Sequence, residues 1–279
     1  MTSATTLLVP LDGSLHATAA LPVARGLADV LDATLAVLHV ANDVLASAAL
    51  ADRMKLSAED VRGLVVEGRT GAAAAVIVRE AAERQTALIV MCTHTRLDST
   101  PRTFGTVAEA VLRTAPCPVV LVPPIRGRRP WALRRLLLPH DGTPTSAAAI
   151  GPAADLATQA AAELVVLHVA TPGAERPTEA GTLVSPRYVD QPHHEWPAWG
   201  REFLDRVHGL RPATNRAKIR LAVVDGEPGA AIVDFARQDA SDLIALAWRG
   251  RLEPERARTM RRVIRDTVCP VIVFRVPPP

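Results

Sequence analysis

Leu7 to Ser14, LLVPLDGS, decides how this chain is read, because it recurs as LLLPHDGT at Leu136 to Thr143. In each copy branched or leucyl residues run into proline, then one residue, then Asp-Gly and a hydroxyl, and an alanine-rich stretch follows. That pattern predicts a buried strand whose carboxyl tip turns sharply into a helix. In open α/β sheets ligands lie beyond the carboxyl ends of the strands, which puts Asp12 and Asp141 where a ligand would bind.

Working outward, the repeat extends over the whole chain and fixes topology before any single element is assigned. Ala33 to Ala41, ATLAVLHVA, matches Ala162 to Ala170, AELVVLHVA, at the same offset of 129 as the opening stretch. VVEG ending at Gly68 matches VVDG ending at Gly226 at 158, so the second copy is expected to carry 29 extra residues within Thr171 to Lys218, with a turn at each glycine. The offset then falls to 155 at Ala87/Asp242 and 152 at Cys117/Cys269, two expected losses of three residues. In the first copy, helices are expected near His16–Leu31, Val44–Met54, Ala72–Arg84 and Thr106–Thr114. Strands are expected near Thr6–Pro10, Ala33–Val40, Val61–Val66, Ala87–Met91 and Val119–Val122. Alternation of this kind predicts α/β architecture: two tandem doubly wound, Rossmann-like domains, each a five-stranded parallel sheet of order 3-2-1-4-5.

The proline-rich run Val122 to Pro130 predicts a boundary, giving domains over residues 1–124 and 131–279. The last strands, Val119–Val122 and Val271–Phe274, are apolar and expected at sheet edges, where pairing them would make an internal pseudo-dimer; a homodimer is also compatible with this surface. Within the insertion, Trp199, Phe203, Leu204 and Val207 form a stripe on an amphipathic helix near Ala198–Leu210, read as core packing. No apolar run approaches the roughly 20 residues needed to span a bilayer, and the N-terminus lacks a basic segment before a long apolar one, so a cytoplasmic protein without membrane contact is expected. Three cysteines, Cys92, Cys117 and Cys269, fit a reducing compartment. The net charge of +3 comes mostly from arginine, but with aromatics at 3% no stacking platform interleaves the basic runs, and no nucleic-acid partner is expected.

After the fourth strand the first copy reads VMCTHTRLDSTPRTFGTVAEAVLRTAPCPVVLV. Together with VPLDGS, VLHV and Gly68, this resembles the universal stress protein family, and the second copy resembles it nearly as fully, as in a tandem member. The resemblance implies a stress-response regulatory or binding module, with ATP or another adenine nucleotide as ligand. It assigns that ligand in the first domain to Pro10, Leu11, Asp12, Val40, Met91, Cys92, Thr95, Gly105, Thr106 and Val107. The family's signature has glycine, two residues, glycine, nine residues, then glycine and serine or threonine. Glycines let the backbone approach phosphate, and the hydroxyl residue opens a helix whose N–H groups hold an anion. Cys92 and Thr95 stand at the two glycine positions, while Gly105-Thr106 completes the pattern with Thr106 expected to cap the helix, and Arg96 or Arg102 to add charge. The second domain keeps Asp141, Val169 and Gly250 of a degenerate site. There Ala247 replaces the first glycine, Ala257-Arg258 stand near the anion-binding turn, and His140 replaces the apolar Leu11.

Plainer readings stand beside these. Asp12-Gly13 and Asp141-Gly142 also fit helix-start turns, with Ser14 and Thr143 as caps. His39 and His168 fit packed core histidines, and the adjacent pair His193-His194 lacks a third ligand, so no metal is expected. Cys117 and Cys269 fit small buried hydrophobes, and Cys92 a crevice thiol. No Ser-His-Asp, paired-carboxylate or Walker pattern is present, so a non-enzymatic protein is expected, with slow ATP hydrolysis the weaker alternative. A nucleotide-free scaffold acting through protein interactions is the rival reading.

Overall fold

The computed structural model describes residues 5–41, 47–54, 56–93, 105–124, 130–171, 180–183, 195–209, 217–249 and 254–276. It divides into two compact units: Met1–Ala132 with Val268–Val273, and Leu133–Thr267 with Phe274–Pro279. The first unit runs β1 (Thr5–Pro10), α1 (Ala20–Leu31), β2 (Ala33–Ala41), α2 (Ser47–Arg53), α3 (Ala58–Val61), β3 (Leu64–Thr70), α4 (Ala73–Glu83), β4 (Leu88–Cys92), α5 (Thr106–Thr114) and β5 (Val119–Val122). A single 3₁₀ turn, Ala17–Ala19, precedes α1. The second unit runs β6 (Arg135–Pro139), α6 (Pro144–Ala147), α7 (Ile150–Gln159), β7 (Glu163–Ala170), α8 (Glu195–Gly209), β8 (Lys218–Asp225), α9 (Pro228–Gln238), β9 (Leu243–Trp248) and α10 (Pro254–Asp266), and the last strand, β10 (Val271–Arg275), belongs to the first unit up to Val273 and to the second from Phe274.

Sheet order in the first unit is β3-β2-β1-β4-β5, as the alternation predicts, with parallel pairing throughout. Val271–Val273 pair antiparallel with Leu121–Val119 on the outer side of β5, so the expected pairing of the two last strands is present. In the second unit β8, β7, β6 and β9 follow the same parallel order, and the chain leaving β10 stays beside β9 through the Val276 N–H donated to Trp248 O at 2.7 Å. The central strands read as continuous apolar runs because both faces are covered by helices: Leu7, Leu8 and Val9, like Leu136 and Leu137, are inaccessible to solvent.

Hydrogen-bond register corrects the sequence alignment at the third strand. Val37 pairs with Val66, and its equivalent Val166 pairs with Leu221, an offset of 155 in the third strand against 129 in the second. The insertion is therefore 26 residues rather than 29, and one expected loss of three disappears. The repeated Val-Val-acid-Gly tetrapeptide invited the slip. Gly68 lies inside β3, opposite His39, and the turn expected there belongs to Gly71 (φ 125°), whose counterpart is Gly226 (φ 138°). β3 also begins later than expected, at Leu64, because α3 and the left-handed Gly63 (φ 74°) take up the preceding residues.

Four helix-to-strand turns pass through a left-handed residue that is not glycine: Asp32, Gln85, Ala161 and Ala240, with φ between 48° and 52°. The far end of α4 is tied to β3 by ion pairs. Arg69 Nε donates to Glu80 Oε1 at 2.7 Å, and Arg84 meets both Glu67 and Glu80 at 2.7 Å. No helix among the described residues is long and apolar enough to cross a membrane.

At the Asp-Gly turns the two units are covered differently. A Cβ on Gly13 (φ 86°) would stand 3.1 Å from Arg53 O at the end of α2, whereas one on Gly142 (φ 84°) would overlap Leu183 O in the insertion. Gly142→Ala combines left-handed strain with displacement of Leu183, while Gly63→Ala meets no atom within 4 Å and carries strain alone. We expect Gly63→Ala to lower the unfolding free energy by about 1–2 kcal/mol and Gly142→Ala to exceed it clearly; urea titration of both variants checks the difference.

Candidate functional site

The tip of the first strand is built the same way in both units. Leu11 N–H donates to Leu38 O at 2.9 Å, and His140 N–H to Leu167 O at 2.8 Å, extending the parallel ladder one residue past the proline. The histidine of the second strand then closes the turn: His39 Nδ1 lies 2.7 Å from Leu11 O, and His168 Nδ1 3.0 Å from His140 O. A carbonyl only accepts, so each Nδ1 carries the proton. Both histidines are buried core residues, as their repeated position suggested.

Beyond this clamp the Asp-Gly turn forms. The Ser14 N–H donates to Asp12 Oδ1 at 2.9 Å, and Ser14 Oγ accepts from Ala17 N–H at 3.1 Å. Thr143 N–H donates to Asp141 Oδ1 at 3.0 Å, and Thr143 Oγ1 accepts from Ser146 N–H at 3.3 Å as the cap of α6. Thr143 thus caps as expected, whereas Ser14 closes its turn on Ala17 without being the N-cap of either the 3₁₀ turn, which is His16, or α1, which is Ala19; both aspartates hold their turns.

In the first unit a crevice of about 150 Å³ opens at these tips. Pro10, Leu11 and Asp12 come from the β1 end, Leu38 and Val40 from β2, Met91 and Cys92 from β4, and Gly105, Thr106, Val107 and Ala108 from the start of α5. Nine of the ten residues expected at the first site therefore line one crevice; Thr95, with Arg96 and Arg102, lies outside the described residues. Sequence reasoning did not single out Ala73 and Ile77 of α4, which also line it; their spacing of four on a helix that follows a crevice strand was the available signal.

Thr106 does not cap α5. Gly105 is the N-cap residue, extended at φ −65° and ψ 145°, its C=O accepting from Glu109 N–H, and Thr106 is the first helical residue. With glycine at that position, α5 begins without a side-chain cap hydrogen bond.

The second unit has a crevice of about 240 Å³, lined by Pro139, His140, Asp141, Thr143, Thr145 and Ser146 of the β6 tip, Leu167 and Val169 of β7, and Pro228, Ile232, Leu246, Ala247, Thr259 and Met260 opposite. Asp141 and Val169 are brought together as expected, while Gly250 lies outside the described residues. Ala257-Arg258 are not at a turn. α10 starts at Pro254, so both lie inside the helix, proline being favoured in a first turn where its missing N–H is not needed.

Here, moreover, α9 supplies its own anion. Glu227 caps it, accepting from Gly229 N–H at 3.2 Å and Ala230 N–H at 2.9 Å, and Arg262 of α10 meets the same carboxylate at 2.7 Å. Desolvation would raise the Glu227 pKa, but those N–H groups and Arg262 outweigh it and hold it below the usual carboxylate value. His193-His194 lie outside the described residues, among which no cluster of three metal-ligating side chains occurs.

A family model of the universal stress protein family matches residues 4–123 and again 132–275. The chain belongs to this family, as a tandem member. A universal stress protein of Methanocaldococcus jannaschii is 27% identical over 150 residues, covering 52% of this chain and 83% of its own. Among solved structures, a functionally unknown protein from Pseudomonas aeruginosa superposes with a TM-score of 0.67 at 20% identity, covering 98% of this chain and 93% of its own. A universal stress protein from Archaeoglobus fulgidus gives 0.63 at 18%, covering 97% and 96%. At these identities the structural likeness speaks for the fold.

Within this universal stress protein the β6 tip differs from the β1 tip at His140, which replaces the buried Leu11 of the first unit. Gly142 N–H donates to His140 Nδ1 at 2.8 Å, so that nitrogen holds a lone pair and the neutral ring carries its proton on Nε2. Burial pushes the His140 pKa down to about 4; the neighbouring Asp141 carboxylate works against this and His168 works with it. The Asp141 carboxyl is itself lowered: loss of hydration would raise it, but hydrogen bonds from Ser146 Oγ and Thr143 prevail. His168 is likewise lowered, by burial above all.

A histidine whose folded pKa is depressed binds protons preferentially when unfolded. Its contribution to stability is intact above pH 6.5 and is lost as the pH falls toward 4. We expect the second unit to lose about 3 kcal/mol over that window from His140. His140→Leu should flatten most of the dependence and leave the smaller slope of His168; urea titrations at pH 7, 5.5 and 4.5 measure it.

Proposed function

We propose that this universal stress protein is a regulatory module of the cell interior that holds an adenine nucleotide, ATP being the reference ligand, in its first unit. The observation that carries the reading is the meeting of Asp12 with the start of α5 across an apolar crevice. The Asp12 carboxylate suits hydroxyl or amino donors of a nucleoside, and Val40, Ile77 and Met91 supply flat apolar contact for a base. Gly105 at the N-cap gives its own N–H to Thr93 O at 2.9 Å and brings no side chain to compete, leaving the first-turn N–H groups that follow it and the positive end of the helix dipole to meet a phosphate.

The second unit is proposed not to bind nucleotide in this way. Its α10 begins earlier, Thr259 stands in its crevice, and the nearby helix start at α9 is already answered by Glu227. A carboxylate capping a helix opposes the approach of a second anion.

Titration calorimetry with ATP tests both statements. Asp12→Ala should weaken binding by roughly 10- to 100-fold, the value of a hydrogen bond to a charged group, and Asp141→Ala should leave it unchanged. Equal losses would overturn the asymmetry.

A nucleotide-free scaffold is the second reading, and the buried Cys92 favours it, because its side chain lines the crevice where family members that bind ATP have glycine. Cys92→Gly separates the two. If the natural protein releases no adenine nucleotide on denaturation and Cys92→Gly binds ATP no better, as read by mass spectrometry and calorimetry, the scaffold stands.

A further inference from the structure

The positive charge of this chain is gathered on one helix. α10, PERARTMRRVIRD, carries five arginines against two acids, an excess as large as the +3 of the whole chain, so the remainder is balanced. Arg258, Arg261, Arg262 and Arg265 stand at i, i+3, i+4 and i+7, which lays them along one side of the helix over about 10 Å. Met260, Val263 and Ile264 are buried on the other side, so the row faces solvent: Arg258, Arg261 and Arg265 are exposed and Arg262 is half-buried. At the offset of 152 that relates Cys117 to Cys269, α5 has Thr106, Glu109, Ala110 and Arg113 at these places. The row belongs to the second unit alone.

Local stability does not account for it. Arg258 and Arg262, and Arg261 and Arg265, are like charges four residues apart, an arrangement that opposes the helix bearing it. Glu227 meets Arg262 at 2.7 Å, and Asp266 meets Arg265 at 2.6 Å and Arg262 at 3.6 Å. Exposed pairs of this kind are screened by salt and open readily, so they leave the row available to a stronger set of anions.

The shape of the row selects those anions. A guanidinium fork matches a carboxylate through two parallel hydrogen bonds. A facing helix repeats its side chains at the same three- and four-residue spacing and so sets carboxylates against all four arginines, whereas an extended chain, with same-side residues about 7 Å apart, reaches two. A nucleic acid, with its continuous charge, would also lie over Glu227 and Asp266 on the α9 side of the row, which an acidic helix one row wide avoids. No described helix of this chain carries more than three acids, so the complement comes from a different protein and not from a second copy.

We propose that the arginine row of α10 is a docking surface for an acidic α-helix of a partner protein, whose carboxylates pair with Arg258, Arg261, Arg262 and Arg265. The surface is independent of the nucleotide reading, since no residue of the first crevice enters it.

Two labelled, alanine-based helical peptides of one composition test it by fluorescence anisotropy on the full chain. One carries four glutamates at i, i+3, i+4 and i+7; the other has them spread around the helix. The natural protein binds the striped peptide at least about tenfold more tightly than the scattered one, and added salt weakens it. That comparison needs no variant to fold. Arg258→Glu with Arg265→Glu reverses both ends of the row at exposed positions and lowers affinity for the striped peptide roughly tenfold or more, while a lysine-striped peptide gains affinity for the same variant. Arg113→Glu with Arg201→Glu makes the same change of net charge at exposed positions of α5 and α8 and leaves binding unchanged. Equal binding of the two glutamate peptides, no loss in the row variant, or an equal loss in the Arg113/Arg201 variant would each overturn the assignment. So would a DNA duplex that displaces the striped peptide at lower concentration than the unlabelled peptide does, which would make the row a nucleic-acid site.

Discussion

One hydrogen bond, made twice, holds the functional end of each unit: the Nδ1–H of a buried second-strand histidine given to the carbonyl just past the first strand, His39 to Leu11 and His168 to His140. The strand must stop at its proline and reverse into a helix. Without a donor at that carbonyl, the turn would leave a buried acceptor unpaired. With it, the following Asp-Gly is held in register with β2 and faces across the switch point toward β4 and the helix after it. The left-handed Gly13 and Gly142 complete the reversal, and the aspartates spend part of their acceptor capacity on the turn itself.

From this shared frame the units diverge by answering the same physical demands differently. The same helix start can be left without a side-chain cap, as α4 is at Ala72, or satisfied from within, as its counterpart α9 is by Glu227 and Arg262. The space over the Asp-Gly turn can be closed by a short helix, as α2 does at Gly13, or by the inserted residues at Leu183, as over Gly142. Replacing Leu11 by His140 belongs to the second arrangement. A ring whose Nδ1 is taken by the turn brings one additional polar atom into an apolar region.

Much of this was legible in the residues. Continuous apolar strands, alternating helices and a repeat running the length of the chain left one topology, and the resemblance to universal stress proteins supplied the nine residues that line the crevice. What was not legible depended on register and on caps. VVEG and VVDG look alike, yet the hydrogen-bond ladder sets them three residues out of step, because side-chain identity in an outer strand is a weak guide to pairing. Thr106 has the chemistry of a cap, but Gly105 takes the extended backbone a cap needs. The start of α10 at Pro254 was hidden by the loop deletion before it. The Leu183 N–H donated to Gly142 O joins residues 41 apart in sequence, a contact that no local pattern announces.

The four left-handed helix ends carry a consequence of another kind. Asp32 and Ala161 sit at equivalent turns, as do Gln85 and Ala240, so each pair keeps one backbone shape under different side chains. Each non-glycine residue there costs about 1–2 kcal/mol against a total domain stability of roughly 5–15 kcal/mol. Such a turn depends on the path of the chain and scarcely on which side chain occupies it. The molecule thereby keeps an untapped margin of heat resistance at four positions remote from either crevice, open to an engineer who wishes to harden it without touching what it binds.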